Sequence, residues 1–120
     1  MKEDNIIKQK SYNFALKIID LFQSLKNERE YVISKQLLRS GTSIGANIEE
    51  AIGGQSRKDF FMKINIAYKE ARETNYWLKL LKDSNLIEFR TAESLINECD
   101  EILKILGTII KTMKQSSNGY

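Results

Sequence analysis

Apolar residues recur every three or four positions along nearly the whole chain, in four runs separated by short polar breaks. A period near 3.6 marks amphipathic helices. The first run, from about Asn5 to Lys26, sets Ile7, Phe14, Ile18, Leu21 and Leu25 on one face, and Phe22 widens it. The second, from about Tyr31 to Ile52, aligns Leu37, Gly41, Ile44, Ile48 and Ala51. It ends at Gly53 and Gly54, residues suited to the left-handed conformation that closes many helices. Ser56 stands where a cap would open the third run, with Asp59 three residues on, close to capping-box spacing. That run carries Phe60, Ile64, Ala67, Ala71, Thr74, Leu78 and Leu81, and Asp83, Ser84 and Asn85 break it. The fourth begins near Thr91 and aligns Ala92, Leu95, Cys99, Ile102, Leu106, Ile109 and Met113. Gln115 to Tyr120 reads as a frayed tail, so the expected division is a bundle over residues 1–114 and a flexible tail over 115–120.

No run has the two-residue period of a strand, and the chain contains no proline to kink a long helix. With short connections, consecutive helices are expected to lie antiparallel, giving an all-α, up-down-up-down four-helix bundle. A length of 120 residues fits one such domain. Helices of about 22 to 28 residues would span roughly 33 to 42 Å, so the expected shape is a rod. Burial of each large side chain contributes about 1.5 to 3 kcal/mol, against at most about 1 kcal/mol for a surface ion pair. Periodicity therefore sets the fold. Gly41 and Gly45 each cost about 1 kcal/mol relative to Ala inside a helix, which predicts that another backbone or chain comes close to this segment.

Two further lines run beside the core lines at the same spacing. On the third helix it reads Ile66, Glu70, Glu73, Trp77 and Leu80; on the second, Gln36, Ser40, Ser43, Asn47 and Glu50. One reading makes them a partly exposed flank in which Trp77 and Leu80 widen the core. The other makes them a subunit interface anchored by Trp77, with Ser40, Gly41, Ser43 and Gly45 permitting close approach. Asn47, Glu50, Glu70 and Glu73 would then exchange hydrogen bonds across it.

Composition narrows the chemistry. There is no histidine, so Glu49, Glu50, Glu70 and Glu73 lack the Glu-x-x-His partner of dinuclear carboxylate sites in bundles. Salt bridges to Arg39, Arg72 or Lys69 account for them more simply, and no metal or other cofactor is expected. Cys99, the single cysteine, falls on a core position, and the serines of RSGTSIG have no base to activate them. The pattern points away from an enzyme. The lone cysteine excludes an intrachain disulfide and, with an amino terminus lacking a continuous apolar stretch, makes the cytoplasm the expected compartment.

The outer face of the third helix is basic. Lys58, Asn65, Arg72 and Lys79 recur every seven residues, with Lys69 and Tyr76 between them. Cations, amides and an aromatic ring in one stripe can follow a phosphate backbone. Lys8, Lys10 and Lys17 on the first helix and Lys104, Lys111 and Lys114 on the fourth add to the positive field. A net charge of +3 is modest for one copy, but an oligomer would repeat the stripe around a single particle.

The motifs SKQLLRSGTSIGANIEEAIGGQSRKDF, over residues 34–60, and KEARETNYWLKLL, over 69–81, carry a family likeness. The chain resembles, over about residues 8–113, the four-helix-bundle proteins encoded in intervening sequences of bacterial 23S ribosomal RNA genes. It also resembles the related accessory variability determinant of diversity-generating retroelements. The resemblance implies a homopentameric barrel, nucleic-acid binding to RNA or DNA through a basic surface and, for the retroelement branch, partnership with a reverse transcriptase. Its signature positions fall on Ser40, Ser43, Ile44, Asn47, Glu50, Glu73, Trp77 and Leu78. The modest charge favours the intervening-sequence branch. Two function classes follow: an oligomeric nucleic-acid-binding accessory protein, and a protein-interaction or structural module.

Overall fold

The computed structural model describes residues 2–117, which form four helices: α1 (Lys2–Asn27), α2 (Val32–Ile52), α3 (Arg57–Asp83) and α4 (Phe89–Ser117). No strand occurs among the described residues. All four runs read from the apolar period are helices, and they pack into a rod-shaped bundle of 48 × 22 × 21 Å. Of the tail expected from Gln115, residues 115–117 belong to α4, and the rest lies outside the described residues.

The ends of the helices are set by different devices. Ser56 caps α3 as its spacing predicted, accepting a hydrogen bond from the Asp59 N–H at 3.0 Å. The first turn of α2 is held instead by Glu30, whose carboxylate accepts from the Ile33 and Ser34 N–H groups at 3.0 and 2.7 Å. The Ser34 hydroxyl donates back to the Glu30 carbonyl at 2.7 Å. Partial burial works to raise the pKa of Glu30, but these hydrogen bonds outweigh it and hold the carboxyl below its ordinary value. Gly53 does not adopt the expected left-handed conformation: its φ is −82°, and its N–H bonds the Glu49 carbonyl at 3.0 Å. The left-handed residues are Arg29 and Asn85, at φ 66° and 61°, just beyond α1 and α3. Gly54 eases a tight spot, since a Cβ there would lie 3.1 Å from the Ala51 carbonyl oxygen.

The predicted core lines meet along the axis. Phe14, Ile18, Leu37, Ile44, Ile48, Ile64, Leu78, Leu81, Ile102 and Leu106 are all buried. Gly41 lets α2 approach α1: a Cβ would fall 2.9 Å from the Cγ2 of buried Ile18. Gly45 lies against Ser11 in the same seam, with 3.5 Å from its Cβ position to the Ser11 carbonyl oxygen. The close neighbour predicted for these glycines is thus a helix of the same chain. Between α2 and α3, the hydroxyls of Ser40 and Thr74 meet at 2.9 Å with both residues fully buried. Between α3 and α4, the Cys99 thiol donates to the Ala71 carbonyl at 3.2 Å, and burial pushes its pKa up to about 12. Asn75 donates to Asp100 at 2.8 Å in that seam. Lys10 with Glu101 and Lys17 with Glu98 bridge α1 and α4 at 2.7 and 2.8 Å. Lys10 lowers the pKa of Glu101, first by its hydrogen bond and then by its charge.

Candidate nucleic-acid interface

Helix α3 has two flanks, and its neighbours determine what each presents. On the α2 side the carboxylates Glu50, Glu70 and Glu73 are paired within the chain. Arg39 donates to Glu70 at 3.2 Å and to Glu73, and the Glu73 carboxylate also accepts the Trp77 indole N–H at 2.9 Å. Lys63 meets Glu50 at 2.8 Å, and Lys8 lies 3.6 Å from Glu49. Arg39 is thus the partner for both α3 carboxylates, and Arg72 and Lys69 are not; position on the seam decides this. Asn47 donates to the Ser43 carbonyl at 2.8 Å, and both side chains are half-buried. Trp77 is also half-buried, edge-on to the Tyr76 ring at 5.2 Å between centroids. Leu80, Ile66 and Met62 remain exposed beside it. Ser40 departs from the expected outer flank: it is 0 % exposed and turned onto Thr74 inside its own bundle.

The α4 side is built differently. Asn65 and Tyr68 of α3 line one groove with Gly107, Ile110, Lys111 and Lys114 of α4. Residues seven apart share a helical line, so the line through Asn65 carries Lys58, Arg72 and Lys79, and the line through Lys111 carries Lys104. The register that sets Tyr68 against Gly107 and Asn75 against Asp100 brings Arg72 level with Lys104. Lys69 and the exposed Tyr76 stand beside this line, toward α2. All these cations are exposed. Among the described residues, none of Lys58, Lys69, Arg72, Lys79, Lys104, Lys111 and Lys114 forms an ion pair. Three carboxylates of α4 are engaged by other groups: Glu93 with Lys82 at 3.0 Å, Glu101 with Lys10, and Asp100 with Asn75.

The five residues read as a binding stripe, Lys58, Lys69, Arg72, Tyr76 and Lys79, are therefore exposed on one helix. Lys104, Lys111 and Lys114, read from the sequence only as adding to the field, form the opposing wall, and the residue that reading missed is Tyr68, recessed between the helices. A signal for the recess existed in Gly107, an isolated glycine in the interior of a long helix.

Comparison with known proteins places this geometry. The family model described as 23S rRNA-intervening sequence protein matches residues 3–108. A solved structure from Bacteroides thetaiotaomicron VPI-5482, a protein with unknown function from the S23 ribosomal protein family, is 55% identical. That similarity covers 91% of this chain and 98% of the other, with a TM-score of 0.88. No curated protein matches.

Proposed function

The chain belongs to the 23S rRNA-intervening sequence protein family, and from that premise we propose a non-enzymatic, oligomeric protein that binds nucleic acid through the α3/α4 face. The observation that carries this reading is the segregation of charge. On the other helix seams Lys8, Lys10, Lys17, Arg39 and Lys63 have carboxylate partners, and the further cations without an ion pair among the described residues, Lys26, Arg29, Lys35 and Arg90, stand near the α1–α2 turn and at the start of α4. The cations flanking the α3/α4 groove have no carboxylate partner among the described residues, so their charge is available to a polyanion. The falling partner numbers on each seam, Lys10 with Glu101 and then Lys17 with Glu98, support an up-down-up-down arrangement.

Assembly is proposed through the α2/α3 flank, where Ser43, Asn47, Glu50, Glu70, Glu73, Trp77 and Leu80 lie. Its ions are already neutralised by Arg39 and Lys63, while Ile66 and Leu80 keep 38% and 36% of their surface exposed. A copy docking there buries apolar surface without stripping a bare charge of water. A homopentamer is the state we propose, and it would repeat the basic face around one particle.

The test is affinity for a single-stranded RNA as a function of salt, for wild type and for the double substitution Arg72→Glu with Lys79→Glu. Binding that weakens steeply with salt, and is lost in the double variant at unchanged particle mass, supports the proposal. Wild-type binding insensitive to salt, or absent at low salt, overturns it. A protein-interaction module is the second reading, favoured by Tyr12, Leu16 and Ile19, which stand 60%, 51% and 41% exposed at helical spacing on α1. It includes an accessory role beside a reverse transcriptase. It predicts purified protein free of nucleic acid and a charge-reversed variant with full partner binding.

A further inference from the structure

The groove between α3 and α4 has features that a smooth phosphate-binding face does not need. It is an open surface groove of about 430 Å³, a volume within the roughly 300–1,000 Å³ of small-ligand sites. It exists because Gly107 has no side chain at a position flanked along the seam by Leu103 and Ile110, which both pack against the core. A Cβ at Gly107 would lie 3.7 Å from the Tyr68 ring, in ordinary contact, so steric necessity does not account for the glycine. Nor does helix formation, which Gly disfavours by about 1 kcal/mol relative to Ala. The effect of the glycine is to uncover one part of the Tyr68 ring.

The polar groups around that ring are unspent. The Tyr68 hydroxyl has no hydrogen-bond partner among the described residues. Asn65 uses its amide N–H to bond the Phe61 carbonyl at 2.8 Å, which leaves its Oδ1 free to accept. Ile110 supplies an apolar wall, and Lys111 and Lys114 place two ammonium groups at the rim. An aromatic and aliphatic slot, an amide oxygen at its edge and cations outside it match the three parts of a nucleotide: a flat base, its exocyclic hydrogen-bonding edge and its phosphate.

We propose that this groove receives an unpaired base of single-stranded nucleic acid, stacked on Tyr68 over Gly107, with the adjoining phosphates held by Lys111 and Lys114. This rests on the nucleic-acid reading above and sharpens it, because a base in a duplex is stacked on its neighbours and cannot enter the slot. The face then prefers single strands over duplex of equal length.

The experiment compares fluorescence anisotropy titrations of a single-stranded RNA and the corresponding duplex, at one salt concentration, for wild type and Gly107→Leu. The leucine fills the slot and removes a glycine from a helix interior, so folding is not put at risk; a melting curve and particle mass verify this. The proposal expects wild type to prefer the single strand by about tenfold, a difference that one stacked base supplies. Gly107→Leu should lose that preference while keeping its affinity for duplex. Equal wild-type affinity for the two RNAs, or a preference that survives in Gly107→Leu, overturns the slot and leaves the basic face intact. Absence of wild-type binding to either RNA at low salt removes the basic face itself, and the slot with it.

Discussion

The two flanks of α3 carry charges of opposite sign, Glu70 and Glu73 toward α2 and Arg72 and Lys79 toward α4, and differ also in what their neighbours do to them. Toward α2, Glu70 and Glu73 meet Arg39, Glu50 meets Lys63, and the Trp77 indole is tied to Glu73. Toward α4, Arg72 and Lys79 face solvent without an ion partner among the described residues. A charge count over α3 separates the flanks by sign and says nothing of which charges are paired. The difference teaches that the register between helices, rather than composition, decides which charges are available to a ligand. Substitutions on the paired flank should therefore move stability or assembly, and affinity only where assembly is lost, while those on the free flank should move affinity and leave stability and mass alone.

The largest expected effect on the paired flank is that of Trp77→Ala. Losing a half-buried indole should cost about 2 kcal/mol, below the roughly 3–5 kcal/mol of fully buried aromatics, read from a denaturant melt. If Trp77 also anchors a neighbouring copy, light scattering in line with gel filtration will show the mass fall. A variant that loses stability but keeps its mass confines Trp77 to its own bundle. Thr74→Val comes next. It leaves the buried Ser40 hydroxyl without its 2.9 Å partner, at about 1–3 kcal/mol, and RNA affinity measured alongside should not change.

Glu30→Gln should cost about 1 kcal/mol through the weakened cap of α2 and flatten the response to acid. Because the folded pKa of Glu30 is lowered, its contribution is present above the unfolded pKa and is lost as pH falls through the folded one. Wild type should thus lose more stability than the glutamine variant between neutral and acid pH, as thermal melts at several pH values will show. The smallest effect is expected for Lys63→Ala: its exposed bridge to Glu50 contributes less than about 1 kcal/mol, and RNA affinity should stay within about twofold. A large loss of affinity in Lys63→Ala would break the division between the flanks.

Much of this architecture was legible in the sequence, because it depends on local pattern. The 3.6-residue period gave four helices, and the Ser56 to Asp59 spacing gave the cap of α3. Gly41 pointed to a close neighbour, but whether that neighbour was Ile18 of the same chain or another subunit depends on packing that a single run does not encode. The same holds for Ser40, which shares a line with half-buried Ser43 and Asn47 yet turns fully inward, and for Arg39, whose two carboxylates lie more than thirty residues away. The cap of α2 was hidden because its side chain comes from Glu30, one residue before the cap position at Tyr31. At the candidate site, the α3 stripe was visible as a seven-residue repeat. The facing wall of Lys104, Lys111 and Lys114 needed the α3/α4 register to be assigned to it.

The most direct measurement is the slope of log affinity against log salt for wild-type protein and a single-stranded RNA, compared with Arg72→Glu and Lys79→Glu together. With roughly 0.7 of slope per neutralised phosphate on a single strand, the double variant should lose about 1.4 in slope along with most of its affinity, at an unchanged melting temperature. A wild-type affinity that does not respond to salt, or a double variant that binds like wild type, would contradict the assignment of the unpaired cations to a polyanionic ligand.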